Sequence, residues 1–132
     1  MKKYSSVAIP LICALLALIL LKTVLILGYV PSASMEPTIP ANSFVLGIRL
    51  YEELKTGDVI IFRHEGKLLV KRIAATEGER VEHNGEVHIV PSDCYYVLGD
   101  NAEDSLDSRF WEEPFVSREE VIGKVMLLRS RR

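Results

Sequence analysis

Arg80-Val81-Glu82-His83-Asn84-Gly85-Glu86-Val87-His88-Ile89-Val90 decides the fold class. Two short runs flank Asn-Gly, the dipeptide that most readily takes positive φ at two successive positions and closes a two-residue hairpin of type I′. Outward from this hairpin the chain keeps the habit of strands. Residues 43–49, 58–63 and 68–75 on one side, and 95–98 and 122–128 on the other, are short runs rich in Val, Ile, Leu and Phe, parted by polar stretches with Gly57 and Gly66. Only residues 117–120 read as a helical turn. So many short strands would leave exposed edges unless the sheet folds on itself. The expected fold is therefore mostly β, a small antiparallel domain in the form of a folded sheet or partial barrel.

The N-terminal quarter is different. Residues 7–30 are 24 positions whose only ionisable side chains besides the Cys13 thiol are Lys22 and Tyr29, which exceeds the roughly 20 residues a helix needs to span hydrocarbon. Lys2 and Lys3 precede them, and the rule for basic flanks then puts the N-terminus in the cytoplasm and the remainder outside. The expected division is a cytoplasmic N-terminus and transmembrane anchor over 1–30 and an extracytoplasmic β domain over 31–132. Lys22 leaves two arrangements open. Either it snorkels from a full-length span, or the span ends near Leu21 and residues 23–30 lie as an apolar patch at the interface. A cleavable signal peptide, with small residues at Ser32 and Ser34, is the competing reading of the same segment.

Charge and cysteine usage narrow the function classes. The chain carries 16 Lys and Arg against 18 Asp and Glu, for a net charge of −2; Lys2, Lys3 and Lys22 lie in the first 30 residues, which leaves 13 against 18, or −5, beyond them. No basic footprint for nucleic acid remains. Cys13 lies in the apolar segment and Cys94 in the polar part, so no disulfide framework is expected. His64, His83 and His88 have neither helical spacing nor a Cys or carboxylate partner pattern, and no metal or other cofactor is expected. The terminal Arg129-Ser130-Arg131-Arg132 reads as a solvated tail able to meet anionic head groups.

Three stretches carry candidate chemistry. Pro31-Ser32-Ala33-Ser34-Met35-Glu36-Pro37-Thr38 follows directly on the apolar segment, and its two prolines stiffen a short loop that can aim a hydroxyl. A serine nucleophile still needs a base and oxyanion donors. In Leu68-Leu69-Val70-Lys71-Arg72-Ile73-Ala74-Ala75, a strand puts Lys71 on the face of Leu69, Ile73 and Ala75. Loss of water there disfavours the ammonium, and a neutral lysine can serve as general base; a surface lysine with a snorkelling stem has the same pattern. Gly99-Asp100-Asn101-Ala102-Glu103-Asp104-Ser105-Leu106-Asp107-Ser108-Arg109 is a loop dense in hydroxyls, carboxylates and an arginine, readable as a solvated turn or as part of a site.

Taken together, residues 32–38, 57–62, 71–73, and 99–101 with 105–109 resemble the successive boxes of the type I signal peptidases, membrane-anchored serine–lysine endopeptidases. The resemblance covers the whole chain in order. It implies Ser34 as nucleophile, Lys71 as general base, and an oxyanion hole from the Ser34 N–H and the Ser32 hydroxyl. It also implies that Ser105 orients the lysine amine, that Asp107, Arg109 and Arg72 form a supporting ionic network, and that Asp100 and Asn101 shape the loop. The implied partners are preprotein signal peptides cut at Ala-x-Ala-like sites and a lipid bilayer, the implied location a bacterial plasma membrane crossed once; the oligomeric state is left open.

Only 26 residues separate Arg72 from Gly99, so the extra lobe of larger members is missing and the resemblance is to a minimal, single-lobe form. Ala102 stands where many members carry a basic residue, and lysine rather than histidine at 71 argues against the endoplasmic-reticulum type. Cutting after small residues requires shallow apolar subsites. Val30, Met35, Ile39, Leu69 and Val70 flank the two candidate catalytic residues and are expected to floor them, unless they are ordinary core. Met35 is also a candidate for contact with lipid. The alternatives are a peptidase dedicated to one secretion or pilus substrate, a catalytically silent membrane-tethered binding module of the same fold, and a self-cleaving regulator. The last would want an N-terminal DNA-binding domain where the apolar segment lies.

Overall fold

A computed structural model of the chain describes residues 2–126. It opens with one helix, α1 (Lys2–Val24), exposed from Tyr4 to Thr23. From Tyr4 to Val24 its 21 residues have a mean hydropathy of 2.6, long and apolar enough to cross a membrane. A helix apolar all round, with none of this window buried by the described residues, has its apolar surface free for hydrocarbon.

The helix stops well short of Val30. Lys22 lies in its last turn, and β1 (Leu25–Val30) follows as a strand paired in register with β2 (Ser43–Ile48). A full-length helical span to Val30 therefore does not hold: residues 25–30 are a strand in which Gly28 and Val30 turn into the domain while Leu27 and Tyr29 stay exposed. Gly28 lies close against β2. A Cβ there would stand 3.2 Å from Val45 Cγ2, inside ordinary contact.

The strands β3 (Val59–His64), β4 (Lys67–Thr76), β5 (Arg80–His83), β6 (Glu86–Ile89), β7 (Cys94–Leu98) and β9 (Val121–Val125) follow the expected order with small shifts at their ends, and β8 (Phe115–Ser117), which the sequence did not announce, is added between β7 and β9. Seven of them form one sheet in the order β1-β2-β9-β3-β4-β7-β8, and β5 with β6 makes a separate ribbon. All pairs are antiparallel. The order runs from β1 to β8 without pairing its ends, so the fold is a folded sheet rather than a closed barrel. Asn84 and Gly85 have φ of 54° and 81°, the signature of the type I′ turn. Glu65 and Gly66, at 48° and 77°, close β3 onto β4 in the same way. The helical turn at 117–120 is a 3₁₀ turn, Arg118–Glu120, fastened by a capping box in which Glu120 Oε2 accepts from the Ser117 N–H at 2.7 Å and the Ser117 hydroxyl at 3.1 Å.

β3 sits mid-sheet and buries both faces. Ile60 and Phe62 join Leu54, Ile73, Val97 and Val116 in one core, while Val59 and Ile61 join Val30, Met35, Ile39, Val45 and Val125 in another. A continuous apolar run is what a strand covered on both sides requires. β4 alternates instead. Lys71, Ile73 and Ala75 are buried and their neighbours less so, which sets the lysine facing inward. The histidines lie apart from this face. His64 stacks on Trp111 with ring centroids 4.1 Å apart, and His83 and His88 approach to 6.1 Å on the ribbon; among the described residues no three His, Cys, Asp or Glu side chains gather as a metal site. Cys13 and Cys94 are both free thiols. Residues 127–132, with Leu128 and the arginine-rich end, lie outside the described residues.

Candidate active site

Ser34 and Lys71 come from separate parts of the chain to line one cleft of about 440 Å³, together with Ser32, Leu69, residues 102–106 and Phe110. Both are buried, at 5% and 4% exposure. The serine is set by its loop. The Ile39 N–H donates to the Met35 carbonyl at 2.9 Å and the Glu36 N–H to the Ala33 carbonyl at 3.1 Å, so the segment coils tightly just after Ser34. Asn101 then ties it across the cleft, its N–H donating to the Ser34 carbonyl at 2.9 Å and its Nδ2 to the Ala33 carbonyl at 3.1 Å. The Ser32 hydroxyl donates to Ser34 Oγ at 3.1 Å, putting a polar hydrogen beside the candidate nucleophile.

The lysine is set by the sheet. Its amine is disfavoured as an ammonium chiefly by burial, helped by the charge of Arg109, while the charge of Asp107 opposes the shift; the net result holds its pKa below the ordinary lysine value. Asp107 is not its ion-pair partner. That carboxylate accepts from Arg109 Nε at 2.8 Å and Nη2 at 2.9 Å, from the Gly99 N–H at 2.9 Å and from the Ser105 hydroxyl at 2.8 Å. Burial alone would raise the Asp107 pKa, yet these donors, Arg109 first, outweigh it and hold the group ionised below the usual carboxylate range. A second fork lies behind the loop. Arg72 gives Nε and Nη2 to the two Asp100 oxygens at 2.8 and 2.7 Å and Nη1 to the Gly57 carbonyl at 2.7 Å. Asp100 is accordingly shifted down, first by that arginine, and bidentate pairs of this kind fix geometry as well as charge.

Of the residues read from sequence, Ser32, Ser34, Lys71, Ser105 and Leu69 line the cleft, and Asp107, Arg109, Arg72, Asp100 and Asn101 stand around it as two ion pairs and a strap. Val30, Met35 and Ile39 are buried in the second core and Val70 packs against it. Met35 is fully buried, so it has no surface to offer lipid; the tight coil after Ser34 turns it inward. Leu106 and Phe110 also line the cleft and were not singled out. Their signal was available, two large apolar side chains in an otherwise polar loop.

Asp107→Ala is expected to lower unfolding stability by roughly 2–4 kcal/mol, because the Gly99 N–H and Ser105 hydroxyl lose a buried acceptor while half-exposed Arg109 can turn to water. Urea unfolding of the detergent-solubilised chain measures it. The Asp107 pKa is depressed on folding, so this stability is fully present above the unfolded carboxyl pKa and is lost as pH falls through the folded one. The gap between parent and variant should close on acidification over that window, and a gap constant with pH would mean that the ionised carboxylate is not what holds the loop.

An apolar helix leading into a β domain that buries a serine and a lysine in one cleft fits a membrane-associated peptidase. The chain belongs to the signal peptidase family, peptidase S26, whose family model matches residues 3–89 and 82–129. Among similar proteins are a probable signal peptidase I-2 of Synechocystis sp., 29% identical over 75% of this chain and 60% of its own length, and a signal peptidase I of Leptolyngbya laminosa, 28% identical over 75% and 66%. The chain thus spans less than two thirds of these relatives. A protein named inactive signal peptidase IA from Staphylococcus aureus is 23% identical over 96% of this chain and 92% of its own length.

Proposed function

We propose that the chain removes N-terminal signal peptides from exported preproteins at Ala-x-Ala-like sites, with Ser34 as nucleophile and Lys71 as general base. The observation that carries this reading is a buried serine and a buried lysine of lowered pKa on one cleft. A neutral Lys71 amine takes the Ser34 Oγ proton as Oγ bonds to the scissile carbonyl carbon, and the carbonyl oxygen becomes an oxyanion. The Ser34 N–H and the Ser32 hydroxyl, turning from Ser34 Oγ, stabilise that charge. Collapse breaks the C–N bond, and the lysine ammonium gives its proton to the leaving amine. Lys71 then deprotonates a water as it adds to the Ser34 ester carbonyl, and the resulting ammonium returns the proton to Oγ as the ester C–O bond breaks.

Ser105 has a definite part in this scheme. A carboxylate only accepts, so the Ser105 proton is committed to Asp107. The hydroxyl oxygen is left as an acceptor, and an amine that donates to it can direct its lone pair elsewhere, toward Ser34. Leu69 supplies an apolar wall suited to a small side chain. α1 anchors the protein as a single span over the first part of the chain, with the β domain on the extracytoplasmic side of the plasma membrane, a reading supported by Lys2 and Lys3 at the N-terminal flank.

The test is cleavage of a preprotein with an Ala-x-Ala site by the detergent-solubilised full chain beside Ser34→Ala. Product at that bond from the parent and a loss of roughly 10⁵-fold or more in the variant are expected. Equal cleavage by both would remove Ser34 from the mechanism. A second reading, a silent membrane-tethered binder, is favoured only by the inactive name of the staphylococcal relative, and it would be adopted if several preproteins bind the parent and none is cut.

A further inference from the structure

The rim of the cleft carries two carboxylates that have no partner among the described residues. Glu103 and Asp104 lie on the 3₁₀ turn Ala102–Asp104 and line the same cleft as Ser34 and Lys71. Among the described residues neither carboxylate forms a hydrogen bond or an ion pair. The turn gains no side-chain cap from its N-cap residue Asn101, and the nearby cation, Arg109, is spent on Asp107 and the Ala102 carbonyl. Among the described residues the two acids therefore hold no part of the fold together. Beside them stand Leu106 and Phe110, exposed by 75% and 62%, large apolar surfaces at the mouth of a polar cleft.

Acid next to apolar surface is the complement of a long basic side chain, whose methylene stem lies on hydrocarbon while its charged head reaches a carboxylate. The cleft floor adds direction to this. Lys71 is buried in the same cleft, whereas Glu103 and Asp104 are exposed at its rim, so the acids are the charges that an incoming side chain meets first. We propose that Glu103 and Asp104, with Leu106 and Phe110, form a specificity rim that favours peptides bearing lysine or arginine within two residues of the scissile bond and disfavours acidic ones. This rests on the reading of Ser34 and Lys71 as peptidase residues. It adds to that reading which preproteins the cleft selects.

The test uses the full chain in a neutral detergent and three preproteins identical except for Lys, Ala or Glu two residues after the cleaved bond, with a second set altered two residues before it. At low salt the ratio of kcat/KM for Lys over Glu is expected to be roughly 10-fold in one of the sets, and to fall toward unity in 1 M salt as exposed charges are screened. Glu103→Gln with Asp104→Asn should abolish the ratio, and Glu103→Lys with Asp104→Lys should invert it. Being a ratio, it is insensitive to a general loss of activity in a variant. Equal turnover of Lys and Glu substrates by the parent at both positions, or a preference that survives the neutral double variant, overturns the proposal. Binding of the same peptides to Ser34→Ala, read by fluorescence anisotropy, separates the two ideas. Tighter binding of Lys peptides without turnover by the parent would keep the rim and sink the peptidase reading, and turnover with no charge preference in either assay would do the reverse.

Discussion

Lys71→Met is expected to lower turnover of a preprotein by roughly 10⁴-fold, the upper range for loss of a general base, with the fold intact. Methionine keeps the length and the apolar stem that pack beside Ile73, and it removes only the amine. The pH profile of the parent gives the sharper reading. An ammonium cannot accept the Ser34 proton, so kcat/KM should rise with pH through the lowered lysine pKa and level off below the pH at which an ordinary lysine titrates. The stability sign follows from the same shift. The folded pKa lies under the unfolded one, so between the two the unfolded chain binds more protons and stability increases with pH. Below that window the folded protein carries the full penalty of a buried ammonium. Lys71→Met should therefore be at least as thermostable as the parent, with its advantage greatest at low pH. Lys71→Arg, which cannot lose its proton, should be as inactive as the methionine variant and less stable than either. A rate unaffected by Lys71→Met, or a pH profile without an ascending limb, would take the lysine out of the proton path.

How much of this was legible depended on whether one physical signal or two were superimposed. The period of two in residues 68–75 put Lys71 on a buried face, and the strand does bury Lys71, Ile73 and Ala75 in alternation. Asn84-Gly85 announced its turn because both residues tolerate positive φ. Glu65-Gly66 makes the same turn with a glutamate at φ 48°, and glutamate gives no such advance signal. Residues 25–30 could not be read as a strand, since an apolar run beside a bilayer span looks the same whether it continues the helix or pairs with a sheet. Pairing with β2 decides it, and that is a long-range fact. Met35 shows the same limit. Adjacency in sequence to Ser34 suggested a place in the cleft, whereas the coil that presents the serine sends the next side chain into the core. The positions of Asp107 and Arg109 in the network came from family resemblance, because a loop has no periodicity from which burial can be read.

The serine and the lysine thus depend on different supports. Lys71 is held by strand pairing to Ile60, deep in the sheet and insensitive to loops. Ser34 is held by a short coil and by Asn101 from across the cleft, and the loop that supplies Asn101 starts at Gly99. The placement of Ser34 relative to Lys71 consequently depends on the point where these loops touch.

That point is Gly99, and Gly99→Ala is expected to lower kcat by roughly 10²-fold or more while KM moves less. A Cβ built there would stand 2.6 Å from the Ser34 carbonyl oxygen and 2.5 Å from Ser105 Cβ. Neither neighbour can give way cheaply. The Ser34 carbonyl is backbone and is tied to Asn101, and Ser105 is tied to buried Asp107. The glycine is required by space and not by conformation, since its φ lies outside the left-handed region. Inserting a methyl group into such a gap costs about 1–3 kcal/mol, and a displacement of about 1 Å at reacting groups can cost 10²-fold in rate. Gly78→Ala is the control. Gly78 has φ of 84° and open space around it, so alanine there strains the backbone by about 1 kcal/mol at a position outside the cleft lining. Steady-state kinetics and melting temperatures of the two variants should therefore part company, with both destabilised and only Gly99→Ala slowed. Equal rates in the two would mean that the Ser34 and Ser105 loops can spread by an ångström without disturbing the reaction, and the close approach at Gly99 would then serve packing alone.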